Sequence, residues 1–148
     1  MTSDVLALYQ AIILEHNRQP RNRRVVEGGR RAEGNNPLCG DRLTVSVRID
    51  GEVIADVGFE GFGCAIAVAS ASLITVSVRG RTVAEAENLG RQVHRLVTAA
   101  PEMPIDDLGP LSALAGVRQF PLRVKCAMLS WEALQAAVHS PDAIVTTE

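Results

Sequence analysis

Residues 43–59 read LTVSVRIDGEVIADVGF. Leu43, Val45, Val47 and Ile49 alternate with Thr44, Ser46 and Arg48, the two-residue period of a strand with one buried and one wet face. Asp50-Gly51 interrupts the run with a turn-forming pair, and Val53, Ala55, Val57 and Phe59 resume the alternation. A β-hairpin satisfies both halves at once.

Beyond the hairpin, Gly61-Phe62-Gly63 breaks the strand. A helix rich in small residues is expected from about Cys64 to Arg79, with Gly80 at its C′ position. Thr82 and Glu85 form a capping box for the next helix, whose stripe is Val83, Ala86, Leu89, Val93 and Leu96. Pro101 and Pro104 mark a loop, and a short helix is expected around Pro110 to Ala115. Pro121 favours an extended approach to Lys125. A last helix begins near Cys126 and carries Trp131, Leu134 and Val138 inward.

On the other side of the hairpin, residues 4–18 predict a helix with Asp4 as N-cap. Its apolar stripe is Val5, Leu8, Tyr9, Ile12, Ile13 and His16, and Pro20 ends it. A polar, Arg-rich loop is then expected to about residue 34. Strands placed early and helices late give an α+β fold, a small antiparallel sheet packed against helices. The reading is one domain over residues 1–148, with its core at about 4–139 and a frayed tail at 140–148.

Composition narrows the function classes. The chain has 148 residues, 47% of them hydrophobic, so it is long enough to bury a core. A net charge of −2 argues against a polyanion binder. The basic run Arg18, Arg21, Arg23, Arg24, Arg30 and Arg31 has no interleaved aromatics, so nucleic acid is not an expected partner. A solvated loop is the first reading of that run, and docking to an acidic partner the second. Ala65 to Val78 is too short and too rich in Ser and Thr to span a bilayer. Thr2, Ser3 and Asp4 lead directly into an amphipathic pattern, so a cytoplasmic protein without membrane contact is expected.

Three cysteines cannot all pair within one chain, and reduced thiols are the default without export. Each falls at a junction: Cys39 in the turn of NNPLCGDRL (35–43), Cys64 at the start of one helix and Cys126 at the start of another. Helix N-termini favour thiolates, which attack sulfur and bind soft metals. Asp41 stands two residues from Cys39. Three thiolates and this carboxylate would make a four-coordinate zinc shell of net negative charge, which favours nearby cations such as Arg123 and Lys125. The spacing contains no C-x-x-C pair, so small packing residues remain the alternative for Cys64 and Cys126. His16 is at most a neighbour of such a site, and His94 and His139 read as helix-face residues.

The pieces NNPLCGD, FEGFGCAIAVASAS and FPLRVKCAMLSW, in that order, resemble the U-type iron–sulfur assembly proteins, and LYQAIILEHNRQPRN resembles their N-terminus. The resemblance covers roughly residues 4–139 and implies a two-layer α/β sandwich with the cysteines and aspartate gathered at one end. Scaffolds of the IscU type carry a His directly before the third cysteine. Lys125 stands there instead, and the long segment around Pro101 to Val117 also matches the SufU branch. That branch implies a zinc-dependent sulfurtransferase that accepts persulfide sulfur from a SufS-type cysteine desulfurase and passes it towards downstream cluster-assembly proteins. By motif, Cys39, Asp41, Cys64 and Cys126 become the Zn2+ ligands, Cys39 the sulfur acceptor, and Arg123 a basic residue flanking the site. The alternative implied is a scaffold on which a [2Fe–2S] cluster is built. Two departures, Ala67 after the second cysteine and Asn17 after His16, lie outside the four ligands.

Overall fold

The structure, a computed structural model, describes residues 3–147. Its core is the expected hairpin, strands β2 (Asp41–Asp50) and β3 (Val53–Phe62), joined through Gly51-Glu52 with Gly51 at φ +63°. Leu43, Val45 and Val47 are buried as the alternation requires. Between Arg48 and Ile49 of β2 the register with β3 shifts, so that Ile49 pairs with Ile54 and Arg48 with Asp56. Ala55 is the extra residue of this bulge, so Ile54 (1% exposed) turns inward and Val53 (38%) outward. The strict alternation expected from Val53 is therefore wrong by one residue at its start. From Val57 onward it holds.

Two strands were not anticipated. β1 (Arg30–Asn36) pairs antiparallel with β2, and β4 (Ile144–Thr146) adds to β1 in parallel, giving the order β3-β2-β1-β4. The sheet is thus mixed rather than purely antiparallel. The sequence predicts loop over most of β1 because its inward positions are Ala32, Gly34 and Asn36, which present no apolar alternation. The small residues answer a close neighbour, since a Cβ at Gly34 would lie 3.0 Å from Leu129 Cδ1. Within the tail, residues 144–146 form β4 and the Thr147 N–H donates to the Asn35 carbonyl at 3.0 Å.

The helices are α1 (Ser3–Arg18), α2 (Ala65–Val78), α3 (Val83–Thr98) and α4 (Val124–His139). α4 lies on β1 and β2, α2 packs on β3 and α4, and α1 covers α2. This leaves the sheet as one layer and the helices as the other. The Thr82–Glu85 capping box is present in both directions. α1 begins one residue before Asp4, which therefore sits in the first turn rather than at the N-cap. Its inward stripe uses Leu6, while Leu8 is 57% exposed. A 3₁₀ run extends over Gly109–Gln119, longer than the short helix expected. A 3₁₀ turn at Pro121–Arg123 replaces the expected extended approach; only Phe120, the residue before the proline, is extended (φ −134°, ψ 77°).

The Arg-rich segment after α1 crosses the outer face of the sheet. Val26 N–H donates to Ser46 Oγ at 2.8 Å, and Phe59 N–H to the Asn22 carbonyl at 3.0 Å. A Cβ on Gly58 would lie 2.3 Å from the Arg24 carbonyl oxygen, so only glycine admits this crossing. Its cations are partly paired within the fold, Arg21 with Glu15 and Arg24 with Asp56. No helix among the described residues is long and apolar enough to cross a membrane.

Candidate metal centre

β1 and β2 close on each other at the pair Asn36–Asp41, leaving Pro37, Leu38, Cys39 and Gly40 as the connecting loop. The Cys39 N–H donates to the Asn36 carbonyl at 3.2 Å. Gly40 turns the chain at φ +69°, a left-handed conformation that a side chain would strain. The loop presents Cys39 half-buried, while Asp41, the first residue of β2, is 2% exposed.

Cys64 is the N-cap of α2 and makes no cap bond through its own side chain. Its N–H donates instead to Asp41 Oδ1 at 2.7 Å, the service that an acidic N3 residue performs in a capping box. The approach is close, because a Cβ on Gly63 would sit 3.0 Å from that oxygen. The second carboxylate oxygen, Oδ2, lies 3.9 Å from Cys64 Sγ. Cys126 occupies the first turn of α4, where backbone N–H groups lack helical partners, and is fully buried. Its sulfur is 3.2 Å from Cys39 Sγ, well beyond the ~2.05 Å of a disulfide, and all three cysteines are free.

One ligand atom each from Cys39, Asp41 and Cys126 lies within 4.8 Å of the other two. Cys64 stands at the edge of this set, tied to it through Asp41. A tetrahedral zinc with Zn–S bonds of ~2.3 Å requires ligand atoms ~3.8 Å apart, a separation that the observed distances bracket. Three soft sulfurs and one buried carboxylate fit the ion by chemistry as well as spacing. Burial, followed by the neighbouring Cys39 and Asp41, pushes the Cys126 thiol well above its ordinary range. A bound cation reverses that preference, so metal uptake releases protons.

The flanking residues divide. Arg123 Nη1 donates to Cys39 Sγ at 3.5 Å. Lys125 is half-buried in the same helical turn as Cys126. His16 is not brought to the cluster. Its Nδ1 lies 2.7 Å from Ser72 Oγ, eight residues or ~12 Å along α2 from Cys64, and that hydroxyl also accepts the Arg21 N–H at 2.8 Å. His139 contacts Glu87, away from the site. Asn36 is a site residue that the sequence pattern does not mark. It is 1% exposed, and its Nδ2 donates to Cys126 Sγ at 3.4 Å. The signal was its place opposite Asp41, which becomes visible once β1 is recognised as a strand.

Comparison with known proteins identifies related chains. The family model described as the NifU-like N terminal domain matches residues 8–127. The zinc-dependent sulfurtransferase SufU of Bacillus subtilis (strain 168) is 38% identical over 135 residues, covering 91% of this chain and 92% of that protein. The iron–sulfur cluster assembly scaffold protein IscU of Streptococcus pyogenes serotype M1 is 36% identical, covering 88% and 82%. The crystal structure of FiSufU, a SUF-system protein from Fervidobacterium islandicum AW-1, superposes with a TM-score of 0.80. It has 31% identity and covers 93% of this chain and 99% of that one.

Proposed function

The chain belongs to the NifU-like N-terminal domain family, and from that membership we propose that it is a zinc-dependent sulfur acceptor serving a cysteine desulfurase in iron–sulfur cluster assembly. The observation that carries this reading is the meeting of Cys39, Asp41 and Cys126 within 4.8 Å, with Cys64 beside Asp41. Zn2+ held by these four residues would order them and keep their sulfurs deprotonated.

Cys39 is the acceptor. It sits in a four-residue loop rather than on a helix, and an exposed guanidinium faces its sulfur. Its thiolate attacks the outer sulfur of the desulfurase persulfide. A new S–S bond forms on Cys39, the partner's S–S bond breaks, and the partner cysteine leaves as a thiolate. No net oxidation occurs. Arg123 is placed to stabilise the negative charge carried by the incoming sulfur. Leu38, Phe62 and Leu122, each within four residues of a ligand cysteine, are exposed and give a SufS-type partner apolar surface to dock against. The sulfur then passes to downstream cluster-assembly proteins.

The test is desulfurase turnover of cysteine with and without this protein. Wild type should raise the rate, and Cys39→Ser should return it to the unassisted value. Full stimulation by Cys39→Ser would remove the acceptor assignment. The second reading, a [2Fe–2S] scaffold, draws on the relatives named IscU and on the same thiolate set. Metal analysis separates the two: zinc without visible absorbance supports the acceptor, and iron with a coloured chromophore supports the scaffold.

A further inference from the structure

Asn36 is 1% exposed, yet its carboxamide is only half used. Nδ2 donates to Cys126 Sγ at 3.4 Å, while Oδ1 is buried without a partner among the described residues. A buried acceptor without a partner is destabilising, and leucine, of nearly the same shape, would fill this position without that cost. Packing therefore does not explain an asparagine here. What the amide supplies and leucine lacks is an N–H aimed at a sulfur.

The two closest sulfurs are held differently. Cys126 is fully buried in the first turn of α4, with the Asn36 amide fixed against it by the β1–β2 register. Cys39 is half-buried in a loop, its sulfur approached by an exposed arginine. The backbone of Asn36 joins the two, because its carbonyl accepts the Cys39 N–H.

We propose that Asn36 is a positioning residue whose side-chain amide fixes the Cys126 sulfur as the permanent anchor of the ligand set, so that exchange falls to Cys39. The inference rests on the sulfur-acceptor reading and adds the device that gives the two cysteines different parts. An N–H···S bond draws electron density from the sulfur and restrains its side chain, as hydrogen bonds to metal ligands generally do. Loss of that bond leaves Cys126 a stronger electron donor on a looser side chain.

The experiment loads wild type and Asn36→Leu with Co2+ and records absorbance and circular dichroism, followed by cobalt release to a chelator. The variant should keep the wild-type circular dichroism. Its thiolate-to-cobalt charge-transfer band should move to longer wavelength, and release should quicken about tenfold. An unmoved band with unchanged release overturns the role of Asn36 while leaving the metal centre intact. Failure of wild type to show any thiolate–cobalt band overturns the metal reading itself. Should Asn36→Leu not fold, the side-chain amide protons of Asn36 in the zinc-loaded wild type decide. Slow exchange with solvent that quickens when zinc is removed supports the proposal, and exchange indifferent to zinc overturns it.

Discussion

Asp41 Oδ1 accepts the Cys64 N–H while Oδ2 faces the Cys64 sulfur, so one side chain both secures the start of α2 and offers a ligand. Two substitutions separate these parts. Asp41→Asn keeps a carbonyl oxygen for the Cys64 N–H but loses the charge, so zinc content should fall, while the metal-free protein should lose little fold stability. Asp41→Ala loses both, and should cost about 1 kcal/mol more in urea denaturation of the metal-free protein. Equal stability of the two variants would refute the capping role. His16 gives a pH signature independent of the metal. Burial, then the nearby Arg21, lowers its pKa below the ordinary 6.5. The unfolded chain then binds the proton more readily than the folded one, so stability falls as pH drops from about 6.5 and levels off once folded His16 is also protonated. The difference in urea midpoint between wild type and His16→Asn should shrink across that window; a pH-independent difference would contradict it. At this scale the cysteines and Asp41 were legible because their chemistry marks them. Asn36 and Ser72 were not, since an amide or hydroxyl acquires meaning only from the atom it faces.

The β1–β2 hairpin and the β3–α2 junction do the placing. Gly61 has φ +118°, and a Cβ there would lie 2.1 Å from the Arg42 carbonyl oxygen, so alanine conflicts with the backbone beside Asp41. Gly61→Ala should destabilise the fold by more than about 2 kcal/mol, through backbone strain added to the clash. A denaturation midpoint equal to wild type would show that the junction can relax. β2 and β3 were readable because one apolar face alternates with a polar one. β1 and β4 escaped notice for physical reasons: β1 buries Ala, Gly and Asn, and β4 has three residues whose partner is another strand's backbone. The bulge at Ala55 lay beyond a strict alternation for the same reason, because it is fixed by pairing rather than by side-chain type.

Across the whole molecule, three junctions far apart in sequence meet at one place: the β1–β2 loop, the start of α2 and the first turn of α4. The α+β class followed from element order, whereas this convergence was supplied by family resemblance; spacing alone left the cysteines as ligands or packing residues. A metal bound at such a meeting point stabilises the folded chain by mass action, by about 4 kcal/mol at a thousandfold excess over its dissociation constant. Chelation should therefore lower the thermal midpoint, with hydrogen exchange quickening first at residues 37–41, 63–66 and 123–127. A midpoint unmoved by chelator would place the metal outside the fold's stability. The central claim concerns sulfur, and mass spectrometry of the protein after incubation with a cysteine desulfurase and cysteine tests it most directly. The account predicts one added sulfur atom on the peptide containing Cys39; a chain that gains no sulfur, or gains it on Cys64 or Cys126 instead, would contradict it.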